Sequence, residues 1–339
     1  MTVHLISVGL SVLRSLEEPR KPLESDSGLL DAVLDASPRP DKLLTPSGTR
    51  ETDTDRERAS EWMAGTFGIA SPPGPLRELA GRIRPWKWPR KMSAELDTFA
   101  RASGGGKFVL GRTDIAVLIC SDTLKGLLAG AWNAVAIAGG DFGRIRYVAD
   151  PADPSAFDGD ARGHVVLVRV TGMDAGHKGF RDAMRGLGFL ARHLFESGTV
   201  SSGEEFRFYL SGGFKAAFPY LIGLAEAVRS VDDECLPEGL TVPEPCWPVT
   251  AYVQHETAPL DANPIRVPLR RLIAASVREE LSGYDESGER PGRPGWSLLE
   301  GYAYDVEKKK WRGGEMSKLT PFGEGLRALF GTNRHRPGS

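Results

Sequence analysis

The stretch "LSGGFK", residues 210–215, has the composition best suited to chemistry. Gly212 and Gly213 carry no side chains and admit positive φ, so successive amide N–H groups can converge on an anion where a helix begins. Lys215 brings a cation to the same point, and Ser211 and Phe214 complete the turn. The Gly-x-x-x-x-Gly-Lys-Ser/Thr of a Walker A loop is missing, which argues against ATP hydrolysis by that route. Two further turns follow apolar runs. "CSDTLKG" offers Ser121, Asp122 and Thr123, residue types that cap helices and can also meet a ligand. "VTGMDAGHKG" offers Gly172, which permits close backbone approach, with Met173 beside it. A fourth turn, "SVGLSV" at 7–12, sets Gly9, Leu10 and Ser11 where a dinucleotide fold would carry Gly-x-Gly-x-x-Gly. No Gly-x-Ser-x-Gly elbow surrounds Ser11, so a serine hydrolase is not indicated. His177 has no second histidine or cysteine at ligand spacing and reads as a surface or capping residue.

The elements that must hold these turns alternate. "VHLISVGLSVL" reads as a buried strand running into a turn, "DIAVLIC" (114–120) as a second strand followed by a helix, and "HVVLVRVTG" (164–172) as a third. In "GFRDAMRGLGFLARHLF", Phe180, Met184, Leu187, Ala191 and Leu194 share one helical face. A strand from about Phe206 to Leu210 then leads through the glycine turn into an apolar helix expected to start near Phe214, with Pro219 in its first turn. Alternating strands and helices predict an α/β fold, a Rossmann-like and mainly parallel sheet with both faces covered. All four turns would then lie at the carboxyl ends of strands, where such sheets bind ligands.

Three other segments interrupt this pattern. Residues 36–60 mix proline, aspartate and arginine without sustained periodicity and read as a charged insertion that decorates the core. Five prolines from Pro237 to Pro259 mark residues 236–260 as a linker between a first domain, 1–235, and a carboxyl-terminal region, 261–339. That region offers a helix, a charged hairpin around "EKKKWR" and a closing "LTPFGEGL", a smaller α+β unit with the outline of a winged helix. In that outline the lysines and Arg312 would contact nucleic-acid phosphates; a solvated hairpin accounts for the same charges.

Bulk properties are permissive. The chain of 339 residues is 40% hydrophobic, enough for a sizeable core, and its net charge of −2 supplies no general attraction for polyanions. Cys120, Cys235 and Cys246 are too few for a disulfide scaffold, which fits a reducing cytoplasm. Neither a signal segment nor an apolar run long enough for a membrane span is present in the sequence.

Taken in order, "SVGLSVL", "SAEL" (93–96), "LICSDTLKG" and "LSGGFKAAFPYL" resemble the CRISPR-associated Rossmann-fold (CARF) family over roughly residues 1–232. The Gly-Gly-Phe-Lys turn before an apolar helix is the most specific of these motifs. The first turn matches the family's Val-Gly-Thr-Ser-Leu pattern except that Leu10 replaces threonine, which removes one hydroxyl. The resemblance implies a homodimer that holds a cyclic oligoadenylate, a second messenger of type III CRISPR defence, across its two-fold axis. Gly9, Leu10, Ser121, Asp122, Thr123, Gly172, Met173 and Ser211 through Phe214 (with Gly212 and Gly213) would line the ligand, and no cofactor or metal is implied. By analogy the ring would be tetra-adenylate. It also implies ring-nuclease activity without metal, in which a ribose 2′-hydroxyl attacks the adjacent phosphate and leaves a 2′,3′-cyclic phosphate. Ser11 and Lys215 fall on the family's cleavage positions. The competing reading is a sensor that binds the ring uncut and passes the signal to a DNA-binding or other effector region at the carboxyl terminus. An effector ribonuclease of the HEPN type is disfavoured, because no histidine follows an arginine at four-to-six-residue spacing.

Overall fold

The computed structural model describes residues 1–13, 53–67, 93–103, 109–153, 160–173, 176–196, 200, 204–213, 217–231, 248–253, 265–267, 274–292, 299, 303–308 and 315–330. The four expected strands are present, as β1 (Thr2–Ser7), β2 (Ile115–Ser121), β4 (Val165–Val170) and β5 (Glu205–Tyr209), and a short strand not expected from the sequence, β3 (Ile145–Val148), lies between β2 and β4 in the chain. Two more, β6 (Val249–Val253) and β7 (Ile265–Val267), complete a seven-stranded sheet in the order β3-β4-β2-β1-β5-β6-β7. Every pairing in it is parallel except β6 with β7. Leu5 of β1, for example, lies opposite Val117 on one side and Phe208 on the other.

The inner strands β1, β2 and β4 bury both faces, as parallel strands between helix layers must. On one face Val3, Leu5, Val117 and Phe208 join the apolar side of α4 (Gly176–Glu196), where Met184, Leu187, Ala191 and Leu194 of the expected stripe are buried; α5 (Phe218–Arg229) packs beside it. On the other face Ile6, Leu118 and Tyr209 meet α1 (Asp53–Thr66), α2 (Ala94–Ala102) and α3 (Leu124–Ile137). α5 starts at Phe218, later than expected, with Pro219 in its first turn, where the missing amide costs no hydrogen bond.

The sheet does not stop at residue 235. β6 lies within the stretch read as a linker and pairs with β5 from Phe206↔Val249 to Tyr209↔Tyr252. Val-Thr-Ala-Tyr-Val has strong strand composition, and Pro248 sits just before the strand, where its carbonyl still accepts from the Phe206 amide (2.8 Å). The flanking prolines hid a strand they only bracket. The second half of the charged segment is likewise structural: α1 begins at Asp53 and buries Ala59 and Met63, with Phe67 just beyond its end, at helical spacing beneath a highly charged opposite face. Residues 36–52 lie outside the described residues.

The carboxyl-terminal region contains α6 (Ala274–Leu281), an antiparallel sheet of β8 (Glu289–Pro291), β10 (Glu315–Leu319) and β9 (Tyr304–Lys308) in the order β8-β10-β9, and α7 (Pro321–Phe330). α7 lies on α4. Leu326, Leu329 and Phe330 belong to the same apolar cluster as Leu187 and Leu190, so this region shares the core of the main sheet. The crossing is close because Gly188 leaves room for the Gly325 carbonyl and Ala328. Beside it the fully buried Glu324 receives Arg181, Arg185 (3.2 Å) and Arg327 (2.8 Å).

Among the described residues no helix is long and apolar enough to cross a membrane.

Candidate functional site at the carboxyl edge of β1 and β5

After β1 the chain moves to β2 on one side, whereas after β5 it moves to β6 on the other. The carboxyl ends of β1 and β5 therefore flank a topological switch point, the position where open α/β sheets leave a crevice. The first and last of the four turns meet there. Ser7, the last residue of β1, donates from Oγ to the Gly212 carbonyl. A Cβ on Gly9 would lie 2.5 Å from the Gly213 amide nitrogen, and Gly213 itself has φ +95. Only glycine allows the two backbones to touch in this way, so the glycines of the sequence motifs are explained by mutual contact before any ligand is considered.

Between the two turns lies the carboxylate of Glu95, which has no exposed surface. Its Oε1 accepts from the Gly9 amide (2.5 Å), and its Oε2 accepts from the Ser11 hydroxyl (2.7 Å). Ser93, the N-cap of α2, has Oγ 2.7 Å from the same Oε2 and 2.6 Å from Asn133 Oδ1. Asn133 in turn donates from Nδ2 to the Ala129 carbonyl (3.0 Å), which fixes the orientation of its amide. Ser11 also accepts from the Ala94 amide (3.1 Å), so it caps α2 from a distant part of the chain. The one Ser93 proton serves either Glu95 or Asn133, and a carboxylate that accepts a backbone amide and the Ser11 hydroxyl is satisfied well enough to be buried.

The sequence singles out Ser11, whereas Glu95 falls inside a motif without a site role. Glu95 stands in "SAEL", and a glutamate in the first turn of a short helix reads as an ordinary dipole partner. Its burial is invisible until α2 is docked. Leu10 packs against the apolar cluster beneath α1 and α3. Ser211 Oγ is buried at the end of β5 with no hydrogen-bond partner among the described residues. Phe214 and Lys215 lie outside the described residues.

The middle turn, after β2, is built mainly for capping. Thr123 Oγ1 accepts from the Gly126 amide (3.0 Å) at the start of α3, and Ser121 Oγ lies 3.1 Å from it. Asp122, with its side chain 8% exposed, pairs with Arg56 of α1 at 3.3 Å. α1 is held at this edge twice more, by Glu57 to Arg169 of β4 (2.7 Å) and by Ser60 to Tyr147 of β3 (2.8 Å). The Arg169 hydrogen bond keeps the Glu57 carboxyl below its ordinary range, and burial pushes the Tyr147 phenol up to about 12. The third turn is farther away, since β4 is separated from β1 by β2. Gly172 has φ +84 and lies against the Gly179 carbonyl, and Met173 is buried in the core under α4.

No group of three or more His, Cys, Asp or Glu side chains is arranged for a metal ion among the described residues. A separate cleft of about 520 Å³ lies between α4, α7 and the turn after α6, lined by Arg185, Phe189, Arg192, Tyr284 and Phe330 among others. It belongs to the docking of the carboxyl-terminal region, away from the switch point. No protein-family model matches this chain, and no curated protein matches it.

Proposed function

We propose that the chain binds a cyclic oligoadenylate, tetra-adenylate in the first instance, at the carboxyl edge of β1 and β5, and cleaves it. The observation that carries this reading is the contact of the Gly9 turn with the Gly212–Gly213 turn at the switch point, beside the partly exposed Ser11. The family resemblance supplies the ligand class. A ring with rotational symmetry fits a homodimer whose two carboxyl edges face each other across a two-fold axis, because each protomer then offers the same groups to equivalent nucleotides.

Cleavage would proceed by attack of a ribose 2′-oxygen on the adjacent phosphorus. The bond to the 5′-oxygen breaks, the 2′ proton is lost and the 5′-oxygen gains one, giving a linear product with a 2′,3′-cyclic phosphate. In-line placement of the attacking oxygen can by itself supply several kcal/mol of barrier reduction, roughly, and Lys215 would offset the charge that grows on the phosphate oxygens. Ser11 would be a positioning group.

The test is incubation of purified protein with radiolabelled cyclic tetra-adenylate in EDTA, beside Ser11→Ala and Lys215→Ala. Linear products ending in a cyclic phosphate, lost in the variants while binding persists, would support the reading. Tight binding of a ring that stays intact for hours would favour the sensor, for which the docking of α7 on α4 offers a rigid route to the carboxyl-terminal region. No binding at all would overturn both.

A further inference from the structure

We propose that Glu95 sets the polarity of Ser11, so that the site selects a ligand by a hydroxyl donor, the ribose 2′-OH, and rejects one that offers only an acceptor there. The inference rests on the oligoadenylate reading and specifies which atom of that ligand Ser11 meets. The Ser11 hydroxyl has one proton and two lone pairs. The proton is directed to Glu95 Oε2 (2.7 Å), and one lone pair takes the Ala94 amide (3.1 Å). What remains for a ligand at this partly exposed position is one lone pair. Ser11 is thus an acceptor toward the crevice. A phosphate oxygen or an adenine ring nitrogen cannot satisfy it, whereas a donor can: the ribose 2′-OH, the group Ser11 would position for attack, with the adenine amino group the alternative that the 2′-fluoro ring tests against.

The arrangement is rigid because Glu95 cannot turn away. Oε1 is held by the Gly9 amide at 2.5 Å, Oε2 takes the Ser11 proton, and Gly212 closes the space on the remaining side. Glu95 is a positioning residue: it acts through Ser11 and has no surface of its own to offer a ligand.

Rapid filter binding of cyclic tetra-adenylate and of its 2′-fluoro counterpart tests this directly, because fluorine keeps an acceptor at the 2′ position and removes the donor. The wild-type protein is expected to bind the 2′-fluoro ring about tenfold more weakly, the effect of one or two hydrogen bonds. Ser11→Ala should abolish that preference, and Ser11→Thr should restore it. Glu95→Gln carries the sharper expectation. The Gly9 amide cannot rotate, so the glutamine oxygen must stay with it, and the amide NH₂ then faces Ser11. Ser11 would accept from glutamine and turn its own proton outward, so the 2′-fluoro ring should bind as well as the ribose ring. Thermal melting establishes that this variant is folded; if it is not, Glu95→Asp, which draws the carboxylate back from Ser11, should relax the preference in the same direction. Equal binding of the two rings by the wild type would overturn the role of Glu95 and leave the oligoadenylate reading standing. Persistence of the ribose preference in folded Glu95→Gln would also overturn it. Failure to bind either ring would overturn that reading, and this inference with it.

Discussion

Gly212 passes so close to the Glu95 carboxylate that a Cβ at residue 212 would overlap Oε1. The glycine turn of the late strand and the buried acid of the second helix are therefore one unit. Gly212→Ala must push the carboxylate off the Gly9 amide or shift the β5 turn. A loss of about 2–3 kcal/mol is expected from overpacking together with the weakened hydrogen bonds. Urea denaturation reads this as a lower midpoint, and a midpoint unchanged within error would refute the contact.

Glu324 carries a second buried charge whose removal should be costly. Arg181, Arg185 and Arg327 converge on it, so Glu324→Ala leaves three guanidinium groups facing one another without their shared carboxylate. Breaking a buried pair by deleting one partner costs about 3–5 kcal/mol. The loss should appear as undocking of α7, measured by hydrogen exchange in residues 321–330 before the sheet loses protection. Uniform protection in wild type and variant would count against the cluster as the anchor of this region.

Acid should weaken the fold from near neutrality downward through His4. The residue is buried against Phe99, its Nδ1 lies 2.8 Å from the Tyr209 hydroxyl, and burial followed by the nearby Arg207 charge lowers its pKa from 6.5 to about 3. The unfolded chain takes up the proton first. Stability contributed by neutral His4 is therefore intact above pH 6.5 and lost progressively down to about pH 3, by at most about 1.4 kcal/mol per pH unit. The slope of unfolding free energy against pH between 6 and 4 should be shallower in His4→Phe. Parallel slopes would show that His4 does not resist protonation.

Met63 tests whether α1 belongs to the core. It is 1% exposed, so Met63→Ala should cost about 2–5 kcal/mol, the range for a large side chain removed from a packed interior. A helix that merely decorated the surface would tolerate the change with a loss under about 0.5 kcal/mol in the same denaturation assay.

Much of the sheet was legible because buried strands are local in composition. Ile115–Cys120 is apolar at every position and Val165–Val170 at every position but Arg169, and both form inner strands of the sheet. Two signals failed for local reasons as well. The prolines around Val249–Val253 suggested a linker, although a strand needs donors only within its own span. The charges of residues 36–60 suggested an insertion that decorates the core, although the helix that begins at Asp53 needs only one apolar stripe to dock. Ser11 and the glycines of residues 212 and 213 were identified from their types, and their contacts explain why those types are present. Thr123 was singled out for a turn that the structure uses first as a helix cap.

Sequence alone determined that strands and helices alternate, that both faces of the sheet are covered, and that the glycine- and serine-bearing turns follow the strands. Those are properties of neighbouring residues: apolar run length, helical periodicity and the conformational freedom of glycine. The tertiary structure decided which turns meet. β1 lies beside β5, and β4 lies two strands from β1, because strand order depends on where each crossover passes, a choice made by the packing of whole layers. It also decided that Glu95, placed by the docking of α2, fills the space between the Gly9 and Gly212 turns and directs the proton of Ser11. A residue's burial and its hydrogen-bond partners are set by chain segments far away in sequence, and that is why the acid at the centre of the site could be read only from the fold.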